Sequence, residues 1–297
     1  MASVHVAVVT SDRDVRLAAA RAFDDAPAAW SVELYETPPE EADVVVFGPD
    51  VDAGGGLRFD PSDPSALIAG IEQRVASVHT RVTAVTGAGR GVGVTSVAAH
   101  LAAAMARDHA TCLVDLDVGG MTALRLGIDA DDHLTWRDAL DGGRSLESCA
   151  LPVASGFRVL LAPDSEDAGA AAWLLERARS AWERVVVDLP CGQPLSEVVE
   201  EADAGVLVVS PTISSAARAK RTLEASPRLP WAVVLNRLGP GGETITAELA
   251  RLVGRPVALE LACAPRLRDR EDDGRLLTSP WTRWWRGIER LAGALER

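Results

Sequence analysis

Residues 87–96 have the composition of a loop that binds phosphate groups, Gly-Ala-Gly-Arg-Gly-Val-Gly-Val-Thr-Ser. The apolar run 82–85 before them predicts a buried strand, and residues 97–105 after them predict a helix. A glycine-rich turn between a strand and a helix directs backbone N–H groups and the positive end of the helix dipole towards an anion. The candidate binding residues are Gly89, Arg90, Gly91, Val92, Gly93, Val94, Thr95 and Ser96.

The loop lacks the positive charge that nucleotide sites of this shape use. The Walker pattern G-x-x-x-x-G-K-[ST] requires a lysine where Val94 stands and a glycine where Ala88 stands. Lys220 is the only lysine of the chain, so an arginine must take that role or the role is lost. Arg90 can bind phosphate through its guanidinium, but it lies four residues before Val94 and cannot occupy the same point. Losing one such contact costs about 3 kcal/mol of transition-state stabilisation, so we expect weak or no hydrolysis.

Three aspartates end or follow predicted strands of the same region. Asp115 and Asp117 close the run 111–117, and Asp188 ends the apolar run 184–188. The carboxyl ends of parallel strands lie at one edge of a sheet, where the loop is also expected. A hydroxyl and a carboxylate suit Mg²⁺, so Thr95 and Asp188 are candidate metal ligands. Aspartates at strand ends also occur as solvated turn residues, and that alternative stays open for each of them.

The elements that would position these residues alternate along the chain from about residue 79 to residue 297. After the loop, strands are predicted at 111–117, 157–161, 184–188, 205–209, 231–237 and 256–261, with helices at 135–140, 170–181, 214–223 and 243–253. This alternation predicts an α/β fold with a mostly parallel sheet and helices on both faces. Residues 1–78 begin with a strand–helix–strand–strand pattern and end with a helix at 65–78, which predicts a smaller α/β domain. We therefore expect two domains, 1–78 and 79–297.

Four motifs in this order and spacing resemble the MinD/ParA family of P-loop ATPases, and within it the CpaE/TadZ branch and the actinobacterial septum-site (Ssd-like) proteins. They are the loop, the D-x-D of Asp115 and Asp117, the strand that ends in Asp188 with Gly192 after it, and the pair Asn236 and Arg237. The resemblance covers essentially all of residues 79–297.

The resemblance implies a role for each of these residues. Asp117 would orient the attacking water and Asp115 would lie near the metal. Thr95 and Asp188 would hold Mg²⁺, Gly192 would approach the γ-phosphate, and Asn236 and Arg237 would lie on the adenine side. ATP or ADP with Mg²⁺ is the implied cofactor, with weakened binding.

The chain departs from the family pattern at three places. Gly89 stands where the family has its signature lysine, and Val94 stands where it has the P-loop lysine. Residues 261–264, Leu-Ala-Cys-Ala, replace the proline and aspartate that the family places near the base. The phosphate site and the base site are therefore both altered.

The N-terminal segment resembles the first half of a response-regulator receiver. Thr10 and Ser11 occupy the positions of the receiver's acidic pair, and Gly48 occupies that of its phosphoacceptor. We therefore expect a degenerate receiver that docks partners and transfers no phosphoryl group. Asp12 and Asp14 are expected to cap or begin the first helix.

Composition excludes several function classes. A net charge of −13 argues against a nucleic-acid coat, which needs a basic face. The four cysteines form no C-x-x-C pair, which is typical of a reduced cytoplasmic protein. Cys191 matches a cluster ligand of the related nitrogenase iron protein. That cluster also needs a second cysteine per subunit in the segment after the preceding strand, and residues 162–166 at that place contain none, so no iron–sulfur cluster is expected.

The C-terminal residues 280–297 predict an amphipathic helix. Ser279 is the expected N-cap and Pro280 the first helical residue. Its expected apolar face contains Trp281, Trp284, Trp285, Ile288, Leu291 and Leu295. Two alternatives stay open, a peripheral membrane contact through this face and packing of the helix onto its own domain.

The resemblance implies a function in spatial organisation. The protein would position a Flp-type pilus or secretion machine, or regulate the division septum, through protein contacts and as a homodimer formed by the loop face. Its expected location is the cytoplasm, including the inner face of the membrane, the pole or the septum. The alternative is an active ATPase that cycles on a partner or membrane, with Asp117 and Asp188 catalytic. A chromosome-binding protein is a third class, which the acidic net charge disfavours.

Overall fold

The chain forms two compact units, Met1–His79 and Thr80–Arg297. The structure is a computed structural model that describes residues 4–23, 30–39, 42–51, 56–63, 66–68, 70–71, 81–118, 121–128, 133–163, 170–191, 196–237, 246–277 and 281–296. None of the described helices is both long and apolar enough to cross a membrane.

The first unit is a four-stranded parallel sheet with the order β2-β1-β3-β4. Its elements are β1 (Val4–Val9), α1 (Arg13–Ala22), β2 (Trp30–Tyr35), β3 (Val44–Phe47) and β4 (Leu57–Arg58). Residues 66–68 and 70–71 are helical, and the rest of the helix expected at 65–78 lies outside the described residues. The order 2-1-3-4 is that of flavodoxin-like sheets, in which ligand sites lie beyond the carboxyl ends of β1 and β3.

The second unit contains eight strands and ten helices in its described part. The strands are β5 (Arg81–Gly87), β6 (Thr111–Asp115), β7 (Leu151–Pro152), β8 (Arg158–Leu160), β9 (Arg184–Asp188), β10 (Ala204–Val209), β11 (Trp231–Asn236) and β12 (Val257–Leu261). The helices are α2 (Val94–Met105), α3 (Thr122–Leu126), α4 (Trp136–Leu140), α5 (Leu146–Cys149), α6 (Ala170–Ala181), α7 (Ser196–Glu201), α8 (Ile213–Ala225), α9 (Thr246–Val253), α10 (Arg266–Asp272) and α11 (Arg283–Leu295).

The sheet of the second unit confirms the predicted fold class. Its order is β12-β11-β10-β5-β9-β6-β8-β7, and all neighbours are parallel except β7 and β8. The strand β5 before the loop is central, between β10 and β9. Valine-rich strands suit this place because both of their faces are covered.

Two apolar layers cover the sheet. Alternate residues of β9 point to opposite layers, Val185 and Val187 into one and Val186 into the other. The first layer is closed by α6 and α8, and the second by α2 and α11. Every residue of α2 is buried, so the helix that begins at the loop is fixed on all sides.

The C-terminal helix differs from its prediction at the start. Thr282 is the N-cap, and its side chain accepts a hydrogen bond from the Trp285 backbone N–H at 3.0 Å. Ser279 and Pro280, the expected start, lie outside the described residues. Trp281 precedes the helix and is 88% exposed, so it does not belong to the apolar face as predicted. Trp284, Trp285, Ile288 and Leu291 are buried against α2 and β12, so the helix packs onto its own domain.

Candidate functional site

The loop adopts a backbone that requires glycine at two points. Gly91 has φ of 74° and Gly93 has φ of 90°, both in the left-handed region that other residues avoid. Gly93 is the N-cap residue of α2 and supplies no side chain to the first N–H groups of the helix. A bound anion can therefore accept these hydrogen bonds.

Val94 has become part of the apolar core. It is 6% exposed, and its Cγ2 lies 2.5 Å from the point where a Cβ on Gly87 would stand. The side chain therefore packs against the end of β5 and contributes no charge to the loop. The glycine-rich shape of the loop is kept, while the position at which the Walker pattern requires a lysine is occupied by a side chain that packs in the core.

The loop opens into a cavity of about 560 Å³ at the carboxyl edge of the sheet. Of the predicted residues, the cavity is lined by Arg90, Gly91, Gly93, Val94, Thr95, Ser96 and Asp117. Gly89, Val92, Asp115, Asp188, Asn236 and Arg237 do not line it, and Gly192 lies outside the described residues.

Two arginines near the loop were not found from the sequence. Arg125, on α3, lines the cavity together with Arg90. The guanidinium Nη1 of Arg218, on α8, lies 2.8 Å from the point where a Cβ on Gly89 would stand. Neither arginine belongs to a motif, but the chain has a single lysine, so every arginine was a candidate for the missing charge.

Asp188 is fully buried. Within the described part of the structure neither of its carboxylate oxygens completes a hydrogen bond, although the Thr95 hydroxyl is close enough to lower its pKa. Burial first, and then the charges of Asp115 and Asp117, raise the pKa of Asp188 well above its ordinary value, while the Thr95 hydroxyl and Arg125 lower it. A buried carboxylate of this kind is costly unless it is protonated or faces a cation.

Asp115 lies beside Asp188 on the neighbouring strand, and the two are paired in the register of β6 and β9. Its Oδ1 accepts a hydrogen bond from the Asp117 backbone N–H at 3.0 Å. Burial raises the pKa of Asp115 to about 6. The D-x-D segment therefore brings a second poorly solvated carboxyl group to the site and leaves Asp117 half-buried at the cavity.

Glu271 contacts the loop directly, and the sequence did not predict this. The hydroxyl of Ser96 donates a hydrogen bond to Glu271 Oε1, and both Glu271 and Asp272 line the cavity. These carboxylates are carried by α10, which follows the altered segment 261–264. An acidic side chain thus holds the hydroxyl of a predicted phosphate-binding residue.

Asn236 supports the loop from beneath. Its side chain has no exposed surface, its Nδ2 donates to the Val92 carbonyl at 3.0 Å, and its Oδ1 accepts from Trp284 Nε1 at 3.4 Å. Arg237 pairs with Glu260 of β12. In this conformation neither side chain of the predicted adenine pair faces the cavity.

Replacing Asn236 by alanine is expected to destabilise the second unit by about 2 kcal/mol or more, because the Val92 carbonyl and the Trp284 indole N–H lose their buried partner. Urea unfolding followed by tryptophan fluorescence measures this, since only Trp30 of the eight tryptophans lies in the first unit. In a Trp284→Phe background the same change should cost less, because the indole N–H is already gone. Additivity of the two changes within about 0.3 kcal/mol would contradict the Asn236–Trp284 contact.

Cys191 is half-buried at the cavity wall. Burial first, followed by the charges of Asp117 and Asp188, raises the pKa of its thiol to about 11. The thiol is therefore protonated at neutral pH and is a poor nucleophile.

The first unit has its own polar cluster beyond the carboxyl ends of β1 and β3. Asp50 accepts hydrogen bonds from the Thr10 hydroxyl at 2.6 Å and from the Ser11 backbone N–H at 2.8 Å. These hydrogen bonds hold the pKa of Asp50 far below its ordinary value. A Cβ on Gly48 would lie 2.5 Å from Asp50 Oδ1, so Asp50 fills the space next to the predicted phosphoacceptor position. Asp12 caps α1 by accepting from the Asp14 backbone N–H at 2.8 Å.

Comparison with solved structures identifies the same fold. The chain is similar to the MinD cell division protein of Aquifex aeolicus, with 21% identity, a TM-score of 0.64, and coverage of 73% of this chain and 97% of that chain. It is similar to the septum site-determining protein MinD of Pyrococcus horikoshii OT3 complexed with Mg-ADP, with 20% identity, a TM-score of 0.64, and coverage of 73% and 96%. A ParA family ATPase from Chlorobium tepidum TLS gives 18% identity, a TM-score of 0.62, and coverage of 72% and 97%.

These similarities show the fold of MinD/ParA P-loop ATPases, a mostly parallel α/β sheet. No protein-family model and no curated protein matches the sequence.

The described residues fit a magnesium–nucleotide complex in part. The unpaired Asp188 carboxylate, with the Thr95 hydroxyl near it, suits a cation that keeps most of its other ligands from phosphate and water. No group of three or more His, Cys, Asp or Glu side chains within the described ranges is arranged to hold a metal by itself. Glu271 at Ser96 does not fit, because its charge would oppose a phosphate.

Proposed function

We propose that this chain is a spatial regulator of the CpaE/TadZ/Ssd type, which positions a pilus or secretion machine or regulates septum placement through protein contacts. The single observation that carries this proposal is that side chains of the loop make contacts within the protein instead of facing the cavity with a positive charge. Val94 is packed in the core and Ser96 is bonded to Glu271, while the backbone of the loop keeps its phosphate-binding shape. A domain that keeps this fold while its loop side chains serve packing and internal hydrogen bonds is suited to binding protein partners rather than to turning over ATP.

Nucleotide binding in this proposal is weak and depends on rearrangement. Thr95 and Asp188 would hold Mg²⁺, and the loop N–H groups, Arg90 and Arg125 would face the phosphates. Bound nucleotide would supply the negative charge that α2 and the two arginines accept. Glu271 would have to leave Ser96 first.

Partner contact is assigned to two surfaces. The first unit would act as a degenerate receiver, because Thr10, Ser11 and Gly48 replace the phosphotransfer residues and Asp50 is already hydrogen-bonded. The loop face would form a homodimer, with Arg90, which is exposed, reaching the second copy. A MinD of Aquifex aeolicus has been solved as a MinC:MinD cell division protein complex, which supports partner binding as the mode of action of this fold.

ATP turnover by the purified chain with Mg²⁺ tests the proposal. We expect no turnover above the protein-free rate, because the loop lysine is absent and Glu271 opposes the phosphates. The Asp117→Ala variant is the matched control and should behave as the wild type does. Turnover that disappears in Asp117→Ala would instead establish the alternative, an active ATPase that cycles on its partner.

A further inference from the structure

The outward face of the C-terminal helix α11 carries three exposed arginines, Arg283, Arg286 and Arg290. Their spacing of three and four residues places them on one stripe of the helix. The opposite face is fixed in the core, where Trp284 and Ile288 are buried. The stripe therefore cannot turn inward, and its charges stay at the surface.

The three arginines form one wall of a cavity of about 670 Å³ between α11 and the end of β12. We call this cavity the arginine groove; its other lining residues are Glu260, Ala262 and Glu289. Both lining carboxylates already have partners, since Glu260 pairs with Arg237 and Glu289 pairs with Arg107. The charges of these two carboxylates are therefore balanced by Arg237 and Arg107 and not by the three arginines of α11.

The positive charge of the groove is uncompensated. Within the described part of the chain, Arg283, Arg286 and Arg290 make no ion pair and no side-chain hydrogen bond. They stand together on a chain whose net charge is −13, so the groove is a local patch of the opposite sign. Such a patch attracts acidic groups and orients them at short range.

We propose that the arginine groove binds an acidic, extended segment of a protein partner. Along the helix axis the arginines are separated by about 4.5 Å and about 6 Å, from a rise of about 1.5 Å per residue. Alternate residues of an extended chain are about 6.6 Å apart and point to the same side. The spacing of alternate carboxylates is therefore close to that of Arg286 and Arg290 and about 2 Å longer than that of Arg283 and Arg286, a difference that long arginine side chains can span. Each arginine can then meet a carboxylate through a charge-assisted hydrogen bond.

Other anionic partners fit the groove less well. A basic patch can attract an anionic bilayer, but stable anchoring also needs an apolar face that inserts. The apolar face of α11 is buried beneath its own domain, and Trp281, which is exposed before the helix, is a single apolar group beside the arginines. A nucleic acid would need a longer basic track than three arginines over about 10 Å. This inference does not depend on nucleotide binding, so its test and that of the proposed function are separate.

The test uses a fluorescein-labelled ten-residue peptide that alternates glutamate and serine, with fluorescence anisotropy of the full chain at low and physiological salt. We expect saturable binding that weakens as salt rises. The triple variant Arg283→Glu, Arg286→Glu and Arg290→Glu should bind at least about tenfold more weakly. The matched control reverses three other exposed arginines, Arg221→Glu, Arg228→Glu and Arg251→Glu, and should lose less than about threefold despite the same change of net charge.

Three results would overturn the inference. The wild-type chain could fail to bind the peptide at low salt, or the two triple variants could lose affinity equally. The third is preferential binding of vesicles containing phosphatidylserine, lost only in the groove variant, which would assign the arginines to a lipid surface. Circular dichroism of each variant confirms that it is folded before it is compared.

Discussion

Replacing Glu271 by alanine is expected to raise the affinity of this chain for Mg-ATP about tenfold or more. The change frees the Ser96 hydroxyl and removes a negative charge from the wall of the cavity that contains the loop. Tenfold in affinity corresponds to about 1.4 kcal/mol, which the loss of one close like-charge contact can supply in a partly buried site. Isothermal titration calorimetry with ATP and with ADP measures both affinities directly.

Two variants distinguish the effect of the Glu271–Ser96 hydrogen bond on nucleotide affinity from the effect of negative charge elsewhere on α10. Glu271→Gln keeps the length of the side chain and should give an intermediate gain, because its amide can still bond Ser96. Asp269→Ala removes an exposed carboxylate of the same helix that does not line the cavity, and it should leave the affinity within about twofold of the wild type. Equal affinities of the wild type and Glu271→Ala would show that Glu271 does not oppose the nucleotide.

Replacing Asp188 by asparagine is expected to stabilise the second unit at pH 7.5 in the absence of Mg²⁺. The wild-type carboxylate is fully buried, and in the part of the chain that the structure describes the Thr95 hydroxyl lies near it without completing a hydrogen bond. A neutral amide removes the cost of the charge and its repulsion by Asp115. A gain of 1 kcal/mol would raise the melting temperature by about 2–4 °C, as measured by tryptophan fluorescence.

The effect has a defined pH dependence. Asp115 titrates at about 6 in the folded chain against an ordinary value of 3.8, and the pKa of Asp188 is also raised. These two carboxyls therefore bind more protons in the folded state than in the unfolded state above pH 3.8, so their contribution to the free energy of unfolding falls as pH rises through about 4 to 6 and beyond. His100, whose pKa burial lowers to about 4, contributes in the opposite direction, so the comparison is made between Asp188→Asn and the wild type at each pH. At pH 5 the Asp188→Asn gain should be smaller than at pH 7.5.

An exposed carboxylate provides the control for this pH dependence. Asp108→Asn changes an exposed aspartate and should leave the melting temperature unchanged at both pH values. A lower melting temperature for Asp188→Asn at pH 7.5 would mean that Asp188 has a stabilising partner.

The fold of the second unit could be predicted because its strands are short valine-rich runs at regular intervals. Runs such as 184–188 are buried on both faces, and only a covered parallel sheet accommodates several of them. The loop was found for a related reason, since glycines at 91 and 93 are needed for its positive φ angles. Both signals are local in sequence.

The contacts that decide what the site can do are not local. Ser96 and Glu271 are 175 residues apart, and Asn236 reaches Val92 across 144 residues. No pattern in the sequence marks Glu271 among the acidic residues of α10. The start of α11 was misplaced for a different reason, because Ser279 and Thr282 both have the chemistry of an N-cap and only the contact with Trp285 distinguishes Thr282.

The inner face of α11 is connected to the loop through Trp284 in two ways. The indole N–H of Trp284 donates to Asn236, whose amide donates to the Val92 carbonyl. The indole ring also packs against His100, with ring centroids 4.4 Å apart, and the Nδ1–H of His100 donates to the Ser96 carbonyl at 2.6 Å. The same helix carries the arginine groove on its outer face. A ligand that shifts α11 would therefore change the free energy of the loop conformation. Thermodynamic linkage then requires reciprocity, so occupancy of the loop would change the affinity of the groove by the same factor.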